Sequence, residues 1–182
     1  RVIFSGDESA ICRANMWLRC AERVLLKVGE FRAETFEELF EKTKALPWED
    51  YIPEDAEFPV TGSSINSKLA SVPDCQAIIK KAIVEKLKLK YKRQWFEETG
   101  SLFRIEFTML KDIITLSIDT SGMGLHKRGY RKLVGEAPLR ETLASAMLLI
   151  SWWKHDRVLI DPFCGTGTIP VEAALIGINK AP

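Results

Sequence analysis

The sequence has little of what builds a metal site or a disulfide framework. It contains only two histidines, and its four cysteines form no Cys-x-x-Cys pair. Because structural zinc is bound by closely spaced Cys and His ligands, no metal site is expected. The N-terminus shows no secretory signal pattern, and isolated cysteines without such a signal are typical of the reducing cytoplasm. We therefore expect a cytoplasmic location.

Long apolar runs and a large net charge are also missing. No run approaches the roughly 20 apolar residues that a helix needs to cross a bilayer, so no membrane partner is expected. Lys and Arg number 26 and Asp and Glu number 25, which leaves a formal net charge of +1. With 46% hydrophobic and 28% charged residues, the composition indicates a folded globular protein.

The distribution of the charge is more informative than its total. Residues 30–57 contain ten acidic residues and three basic ones. Residues 80–93 contain seven basic residues against Glu85 alone, and residues 126–132 add a second basic cluster. This polarisation within a neutral total predicts surfaces of opposite sign, and the basic surfaces suit a nucleic acid.

Hydrophobic periodicity predicts a mixture of helices and strands over the first 119 residues. The predicted helices cover 8–23, a segment opened by the capping box of Thr35 and Glu38, and 74–91; the predicted strands cover 24–28, 58–61, 102–107 and 113–118. We expect Gly62 to end the short strand 58–61. We also expect Ile79, Ile83 and Leu87 to face the core from helix 74–91.

The last third of the chain is predicted to begin with a connecting segment. Residues 121–131 are glycine-rich and basic, and we interpret them as an interdomain segment. A helix is expected to begin near Pro138, with Leu139, Leu143, Met147 and Ile150 facing the core. A short apolar strand at 157–160 and a helix at 169–176 follow.

The strongest chemical signal is RVLIDPFCGTGTIPVEAAL, residues 157–175, which predicts a strand, a glycine-rich turn and a helix. Glycines let such a turn bend sharply and approach a ligand closely. A P-loop needs Lys where Thr168 stands, and a dinucleotide fingerprint needs a third glycine where Pro170 stands. S-adenosylmethionine (SAM) has no phosphate, and Asp161 supplies a carboxylate for its ammonium group. An ordinary turn with Asp161 as a helix cap is the alternative.

Two segments carry a family resemblance. IDPFCGTGTIPVEAALI resembles motif I of the nucleic-acid amino-methyltransferases, and residues 116–148 resemble the stretch that joins a THUMP domain to its methyltransferase domain. The combination is similar to the bacterial guanine-N2 methyltransferases of large-subunit ribosomal RNA. It implies an α+β (ferredoxin-like/THUMP) fold followed by the start of a Rossmann-like α/β SAM-dependent methyltransferase domain. The implied parts are a partial ferredoxin-like module plus THUMP domain at 1–119, an interdomain segment at 120–135, and the methyltransferase start at 136–182.

The resemblance also assigns a SAM pocket. Its lining would be Asp161, Phe163, Gly165, Thr166, Gly167 and Thr168. The helix that starts APLRETLA resembles the family's motif X, which adds Arg140, Glu141 and Thr142 as candidates. A solvated first helical turn is the alternative for Glu141 and Thr142. We interpret Cys164 as a small filler of the turn rather than a nucleophile, because no base is visible beside it.

The family pattern includes two elements that this sequence does not contain. In this class the second strand ends in an acid that holds the ribose hydroxyls, and the fourth carries an Asn/Asp-Pro-Pro-aromatic motif that holds the methylated amine. No catalytic residue is therefore assigned within the 182 residues. We expect the chain to be part of a longer protein and to be inactive in methyl transfer by itself.

Basic and polar side chains mark the expected RNA surfaces. Lys and Arg neutralise phosphates without reading sequence, and an aromatic ring among them suits stacking on an unpaired base. The candidates are Ser63, Lys68, Lys81, Lys88, Lys92, Lys127, Arg128, Tyr130 and Arg131. The alternatives are a solvated lysine face on helix 74–91, and a linker whose arginines pair with the acidic residues of 30–57.

The resemblance implies a function for the protein as a whole. The chain would be the RNA-binding part and SAM loop of an rRNA guanine-N2 methyltransferase, which moves a methyl group from SAM to a guanine exocyclic amine. RNA, above all ribosomal RNA, is the expected partner, and the oligomeric state is open. Two alternatives stay open as well: the same reaction on tRNA, and a non-catalytic RNA-binding module.

Overall fold

The protein forms two compact units in the computed structural model, which describes residues 1–130 and 138–182. The sheet unit is Leu25–Asp119, and the helix unit combines Arg1–Val24 with Thr120–Pro182. Residues 1–24, which we expected in the first domain, therefore group with the C-terminal part of the chain. The candidate RNA contact Arg131 and the expected boundary at 135 lie outside the described residues.

Helices and strands alternate along the described residues. In chain order they are α1 (Glu8–Trp17), β1 (Leu25–Arg32), α2 (Phe36–Lys44), a 3-10 turn (Trp48–Asp50), β2 (Val60–Ile65), α3 (Val72–Tyr91), β3 (Ile105–Leu110), β4 (Ile113–Asp119), α4 (Glu141–Ile150) and α5 (Thr168–Gly177). None of these helices is long and apolar enough to cross a membrane.

The sheet unit is built on one four-stranded sheet with the order β1-β4-β3-β2. β4 pairs antiparallel with β1 and with β3, and the predicted hairpin of the last two strands is confirmed. β2 pairs parallel with β3, in the register Val60 to Ile105. A bulge between Lys27 and Gly29 shifts the register of β1 against β4.

The core of the sheet unit lies between the sheet and its helices. Ile79, Ile83 and Leu87 of α3 are fully buried, which confirms the predicted stripe. The predicted capping box is confirmed in its first half, because the Thr35 hydroxyl accepts from the Glu38 amide at 3.2 Å, whereas the Glu38 carboxylate accepts from the Glu34 amide, one residue before the N-cap. Trp48 is also fully buried, and its indole N–H donates to the Thr43 carbonyl at 2.8 Å.

The prediction that β2 ends at Gly62 was wrong. The strand continues through Gly62 to Ile65, and Gly62 lies in register with Phe107. A β-carbon at position 62 would lie 2.2 Å from the Phe107 carbonyl oxygen. The glycine is therefore a requirement of close strand approach, not a strand breaker.

The prediction that the first helix extends to residue 23 was also wrong. α1 ends at Trp17, and Leu18 is extended. Carbonyls after Trp17 accept hydrogen bonds from elsewhere in the helix unit. The Arg19 carbonyl accepts from the Arg128 guanidinium, and the Glu22 carbonyl accepts from the Leu125 amide. Tertiary bonds of this kind replace the helical ones and override local propensity.

Two apolar segments of the helix unit are more exposed than predicted. On α4, Leu143, Met147 and Ile150 are 51%, 48% and 77% exposed, whereas Ala144, Ser145 and Leu148 are buried. The buried side of α4 packs against α5 and holds the polar contacts described below. Residues 157–160 form no strand, because no neighbouring strand among the described residues pairs with them.

Candidate functional site

The glycine turn at 161–168 has an open surface. Gly165 and Gly167 adopt φ of +52° and +74°, the left-handed region that favours glycine. A β-carbon at either glycine would have no atom within 4 Å. The amide of Gly167 donates to the Cys164 carbonyl at 2.7 Å, which closes the turn. The backbone thus forms a closed turn, and a ligand can approach it closely.

The two ends of the turn are fixed by different contacts. At its start, the Asp161 carboxylate accepts from the Phe163 amide at 3.3 Å, and the Phe163 ring is 94% exposed. At its end, Thr168 is 3% exposed and begins α5, and its hydroxyl lies 3.3 Å from that of Thr166. The six predicted SAM residues therefore form one continuous turn, exposed in its middle and buried where the helix begins.

The other SAM candidates lie at the start of α4. Glu141 and Thr142 are 5% and 3% exposed, so this first helical turn is not the solvated one of the alternative. The Thr142 hydroxyl donates to the Glu22 carboxylate at 2.7 Å, and His126 lies 2.8 Å from the same carboxylate. Arg140 is exposed, with its guanidinium 3.7 Å from Glu22. Glu22 therefore connects three segments of the helix unit.

The contacts of Glu22 predict a pH-dependent contribution to stability. The hydrogen bond from Thr142 holds the pKa of the Glu22 carboxyl below its ordinary value of 4.5, and His126 and Arg140 add to this. A depressed carboxyl pKa stabilises the fold above the unfolded-state pKa, and this stabilisation is lost as the pH falls through the folded-state pKa. Glu22→Gln should cost less than about 1 kcal/mol at pH 7, since the carboxyl is half-exposed and screened.

This contribution is measured by urea unfolding of the wild type and Glu22→Gln between pH 3.5 and pH 7. The difference between their free energies of unfolding should not exceed about 1 kcal/mol. The difference between wild type and Glu22→Gln should shrink below pH 4.5, the ordinary carboxyl value. Asp156→Asn, an exposed acid of the same unit, serves as the control and should show no such convergence. A difference that stays constant across the range would contradict the assignment.

Arg128 and Tyr130 lie around a buried acid that the sequence analysis missed. Glu172 of α5 is fully buried and accepts hydrogen bonds from the Arg128 guanidinium, from the Tyr130 hydroxyl at 2.8 Å and from the Ser145 hydroxyl at 2.5 Å. The Arg128 side chain is 4% exposed and also donates to the Arg19 carbonyl at 2.6 Å. We call these five residues the Glu172 cluster. An acid within the apolar helix TIPVEAALIG is the sequence signal for it.

The remaining RNA candidates of the sheet unit are spread over three elements. Lys81 and Lys92 of the α3 region are exposed, and Lys92 caps the helix with φ of +54°. Lys88 pairs with Glu85 at 2.8 Å, and Lys68 pairs with Glu34. Ser63 is exposed on β2. In the helix unit, Lys127 lies directly before Arg128 and is exposed.

The acidic region 30–57 neutralises part of the basic helix. Lys86 pairs with Glu49 at 3.1 Å, and Arg93 pairs with Glu54. Lys80 is also paired, to Glu98 at 2.7 Å, with its ammonium over the Phe58 ring. Of the predicted RNA contacts in the α3 region, Lys81 and Lys92 are exposed, and the Lys81 ammonium lies 5.8 Å from the centroid of the Phe40 ring. Within residues 1–130 and 138–182, no three His, Cys, Asp or Glu side chains cluster as metal ligands.

Three family models match the chain in succession. An RlmL ferredoxin-like domain matches residues 1–25, a THUMP domain matches residues 33–119, and an RMKL-like methyltransferase domain (UPF0020) matches residues 128–182. The glycine turn and the Glu172 cluster's α5 both fall within the methyltransferase match, and α3 falls within the THUMP match.

Two curated proteins show how much of a longer relative the chain spans. It is 58% identical over 184 residues to Putative RNA methyltransferase YpsC of Bacillus subtilis (strain 168), covering 100% of this chain and 48% of that protein. It is 36% identical over 182 residues to Ribosomal RNA large subunit methyltransferase K/L of Psychromonas ingrahamii, covering 100% of this chain and 24% of that protein. The chain thus spans about half the length, or less, of these relatives.

Solved structures agree with the fold. The chain superposes with a TM-score of 0.93 and 63% identity on a predicted N6-adenine-specific DNA methylase from Listeria monocytogenes str. 4b F2365, over 97% of this chain and 47% of that one. It superposes with a TM-score of 0.90 and 47% identity on SMU.472 complexed with SAH, again over 97% of this chain and 47% of that one.

These matches confirm the predicted resemblance and the predicted order of folds. An α+β part with ferredoxin-like and THUMP elements precedes the start of a methyltransferase domain. With these parts in this order, the chain resembles an RlmL-type ferredoxin-like segment, a THUMP domain and the first part of an RMKL-like methyltransferase domain.

Proposed function

We propose that this protein, at its natural length, transfers a methyl group from SAM to the exocyclic amine of a guanine in large-subunit ribosomal RNA. The observation that carries the proposal is the open glycine turn, in which Gly165 and Gly167 adopt positive φ directly before α5. It lies in a chain that also contains a THUMP domain. The rRNA activity in the name of the Psychromonas ingrahamii relative supports the choice of RNA.

The residues of the turn fit SAM better than a phosphate-bearing cofactor. The space in front of Gly165 and Gly167 is free, since a β-carbon added at either position would have no protein atom within 4 Å, and a ligand can therefore lie against the backbone. Pro170 removes one N–H from the first turn of α5, which weakens a phosphate cradle. Asp161 offers a carboxylate where a ligand's ammonium would be held, and Phe163 offers an exposed ring beside it.

The protein residues would act by binding and orientation. When bound, SAM supplies an electrophilic methyl group on its sulfonium. Asp161, Gly165 and Gly167 would hold the cofactor in one orientation, while Thr168 fixes the end of the turn against α5. Catalysis of a direct displacement then rests on the placement of the guanine amine in line with the methyl group. A base inside a duplex would first be flipped out of the stack.

The lysines of α3 are expected to supply part of the RNA affinity. The double variant Lys81→Gln/Lys92→Gln removes two exposed cations of the sheet unit and keeps the length of their side chains similar. We expect binding to bacterial rRNA to weaken roughly tenfold at low salt, and the slope of log Kd against log salt to fall by about two.

Fluorescence anisotropy over a salt series measures both quantities for the 182-residue chain. Lys27→Gln is the matched control, because Lys27 belongs to β1 of the same unit and its ammonium pairs with Glu30 at 3.2 Å. An unchanged salt slope for the double variant would mean that these lysines form a solvated face and do not contact phosphates.

Methyl transfer from radiolabelled SAM tests the proposed function. The natural-length protein is incubated with rRNA, tRNA and DNA from bacteria that lack the native methylations, and the labelled nucleoside is identified by mass spectrometry. We expect label on the N2 amine of guanine in large-subunit rRNA. The 182-residue chain, tested beside it, is expected to give none, because the family's amine-holding motif is not among its residues.

The other outcomes separate the alternatives. Label in tRNA or in DNA would replace the proposed substrate and keep the methyltransferase activity. Absence of label from the natural-length protein, with RNA binding retained, would overturn the enzyme proposal in favour of an RNA-binding module.

A further inference from the structure

The Glu172 cluster lies one helical turn after the glycine turn. Glu172 is the fifth residue of α5, which begins at Thr168. We propose that Glu172 is a positioning residue for the glycine turn: through its buried partners it fixes the first turn of α5, and with it the backbone of Gly165–Thr168 that would meet the cofactor. This inference rests on the proposed SAM function of that turn.

The direction of helical side chains connects Glu172 to the turn. Side chains in a helix point back toward its N-terminus, so the Glu172 side chain is directed toward the helical turn that starts at Thr168. Thr168 is itself 3% exposed, and the amide of Val171 donates to the Gly167 carbonyl at 3.1 Å. The start of α5 is thus held from the inside, while Gly165 and Phe163 face open space.

The partners of Glu172 come from separate parts of the helix unit. Arg128 and Tyr130 belong to the glycine-rich, basic residues 121–131, called the basic segment from here on, and Ser145 belongs to α4. Arg128 also donates to the Arg19 carbonyl of the N-terminal segment. One fully buried carboxylate therefore accepts from three donors, of which Arg128 and Ser145 are buried and Tyr130 is 37% exposed. Charge-assisted bonds in such a site define orientation more strictly than apolar packing does.

The same contacts couple the basic segment to the cofactor turn. Lys127, a candidate RNA contact, is the residue directly before Arg128, whose guanidinium is bound to Glu172. A ligand that holds the basic segment in this arrangement also favours the arrangement of α5. By linkage, the two ligands would then favour each other's binding.

A substitution that keeps the volume of the side chain tests the role. Glu172→Gln removes the negative charge and replaces one acceptor oxygen by an N–H donor group, which must face either the Arg128 guanidinium or the Tyr130 hydroxyl, so the cluster can no longer satisfy all of its donors. Leu148→Ala is the matched control, because Leu148 is 4% exposed on α4 of the same unit, and its truncation leaves a cavity but removes none of the cluster's hydrogen bonds. Tyr130→Phe removes a single hydroxyl bond and keeps the buried ion pair, which makes it the variant to use where Glu172→Gln does not fold.

Two measurements on the natural-length protein separate positioning from mere stability. Hydrogen–deuterium exchange of residues 163–170 reports the order of the turn without any ligand, and calorimetric titration with SAH reports cofactor affinity. We expect Glu172→Gln to speed exchange in the turn and to raise the Kd for SAH at least about tenfold, which is the loss of one charge-assisted bond. Tyr130→Phe should change the exchange rate and the Kd for SAH in the same direction but by less. Leu148→Ala should leave the exchange rate and the Kd at wild-type values at temperatures below its unfolding midpoint.

The readouts distinguish the failure of this inference from that of the proposed function. Unchanged exchange and affinity in Glu172→Gln, or equal changes in Leu148→Ala at equal loss of stability, would overturn the positioning role. Faster exchange in Glu172→Gln together with no SAH binding by the wild type would support the control of the turn by Glu172 and overturn its use for SAM.

Discussion

The Gly62→Ala substitution is expected to destabilise the sheet unit by about 2–3 kcal/mol, since overpacking of a closed interior typically costs 1–3 kcal/mol. The added β-carbon would lie 2.2 Å from the Phe107 carbonyl oxygen and 2.4 Å from the Phe107 ring. A backbone oxygen cannot rotate away as the end of a side chain can. β2 must therefore move away from β3, along which it pairs from Val60 to Ile65.

The position of Phe107 makes the displacement of β2 energetically unfavourable. Phe107 is fully buried at the centre of β3, where it also pairs with Leu116 of β4. Displacing β2 weakens the parallel ladder and loosens the packing of α3, which lies against β2. For a domain of this size, a loss of 2–3 kcal/mol lowers the unfolding midpoint by roughly 10–20 °C.

Differential scanning calorimetry measures the midpoint, and Gly29→Ala supplies the comparison. At position 29 the three atoms nearest to an added β-carbon all belong to the Leu46 side chain, its methyl carbons at 2.5 Å and 2.8 Å and its Cγ at 3.2 Å, and a side chain can move by rotation. Both glycines lie in strands of the same sheet. We expect Gly29→Ala to shift the midpoint clearly less than Gly62→Ala. Equal shifts would show that the loss comes from glycine replacement in a strand rather than from the Phe107 carbonyl.

Periodicity predicted those elements whose structure depends on local sequence and one buried face. Helix α3 has a single apolar stripe of Ile79, Ile83 and Leu87, and the structure buries all three. The start of α2 is encoded by Thr35, whose hydroxyl accepts from the Glu38 amide, and by Glu38, whose carboxylate accepts from the Glu34 amide just before the N-cap. Such signals depend only on nearby residues, and they were sufficient to predict the α+β character of the sheet unit.

Elements whose limits depend on distant partners could not be predicted. Gly62 resembles a strand breaker until its parallel neighbour Phe107 is known. α1 stops at Trp17 because the carbonyls after it accept from residues more than a hundred positions away, such as Arg128. The apolar residues Val158 and Ile160 form no strand, because a parallel strand needs a neighbour before it gains hydrogen bonds.

The candidate site was predicted only in part, because some of its residues also depend on distant partners. The glycine turn is local, and the structure gives Gly165 and Gly167 the positive φ that its spacing implies. The composition of residues 126–131 predicted RNA contacts, or arginines paired with the acidic residues of 30–57, whereas Arg128 and Tyr130 bond to Glu172. Glu172 was missed because its role depends on these partners, although a lone acid in an apolar helix is a usable signal.

Gly167→Val is expected to weaken SAH binding at least about tenfold, or about 1.4 kcal/mol, while RNA binding by the sheet unit is unchanged. Gly167 has φ of +74°, which a β-branched residue strongly disfavours. Its β-carbon would project into space that holds no protein atom within 4 Å, so the new side chain collides with a ligand rather than with the fold. Relief of the strain would also move the N-cap of α5, from which Thr168 is presented.

Calorimetric titration with SAH and anisotropy with rRNA measure the two affinities in the natural-length protein. Gly122→Val is the matched control, because Gly122 also has positive φ, +64°, and a β-carbon there also has no atom within 4 Å, but the residue lies outside the turn and outside the Glu172 cluster. It should leave SAH affinity near the wild-type value. If Gly167→Val bound SAH like the wild type, a ligand could not lie against this backbone. The glycine turn would then be an ordinary strand-to-helix connection, and the SAM proposal would lose the observation that carries it.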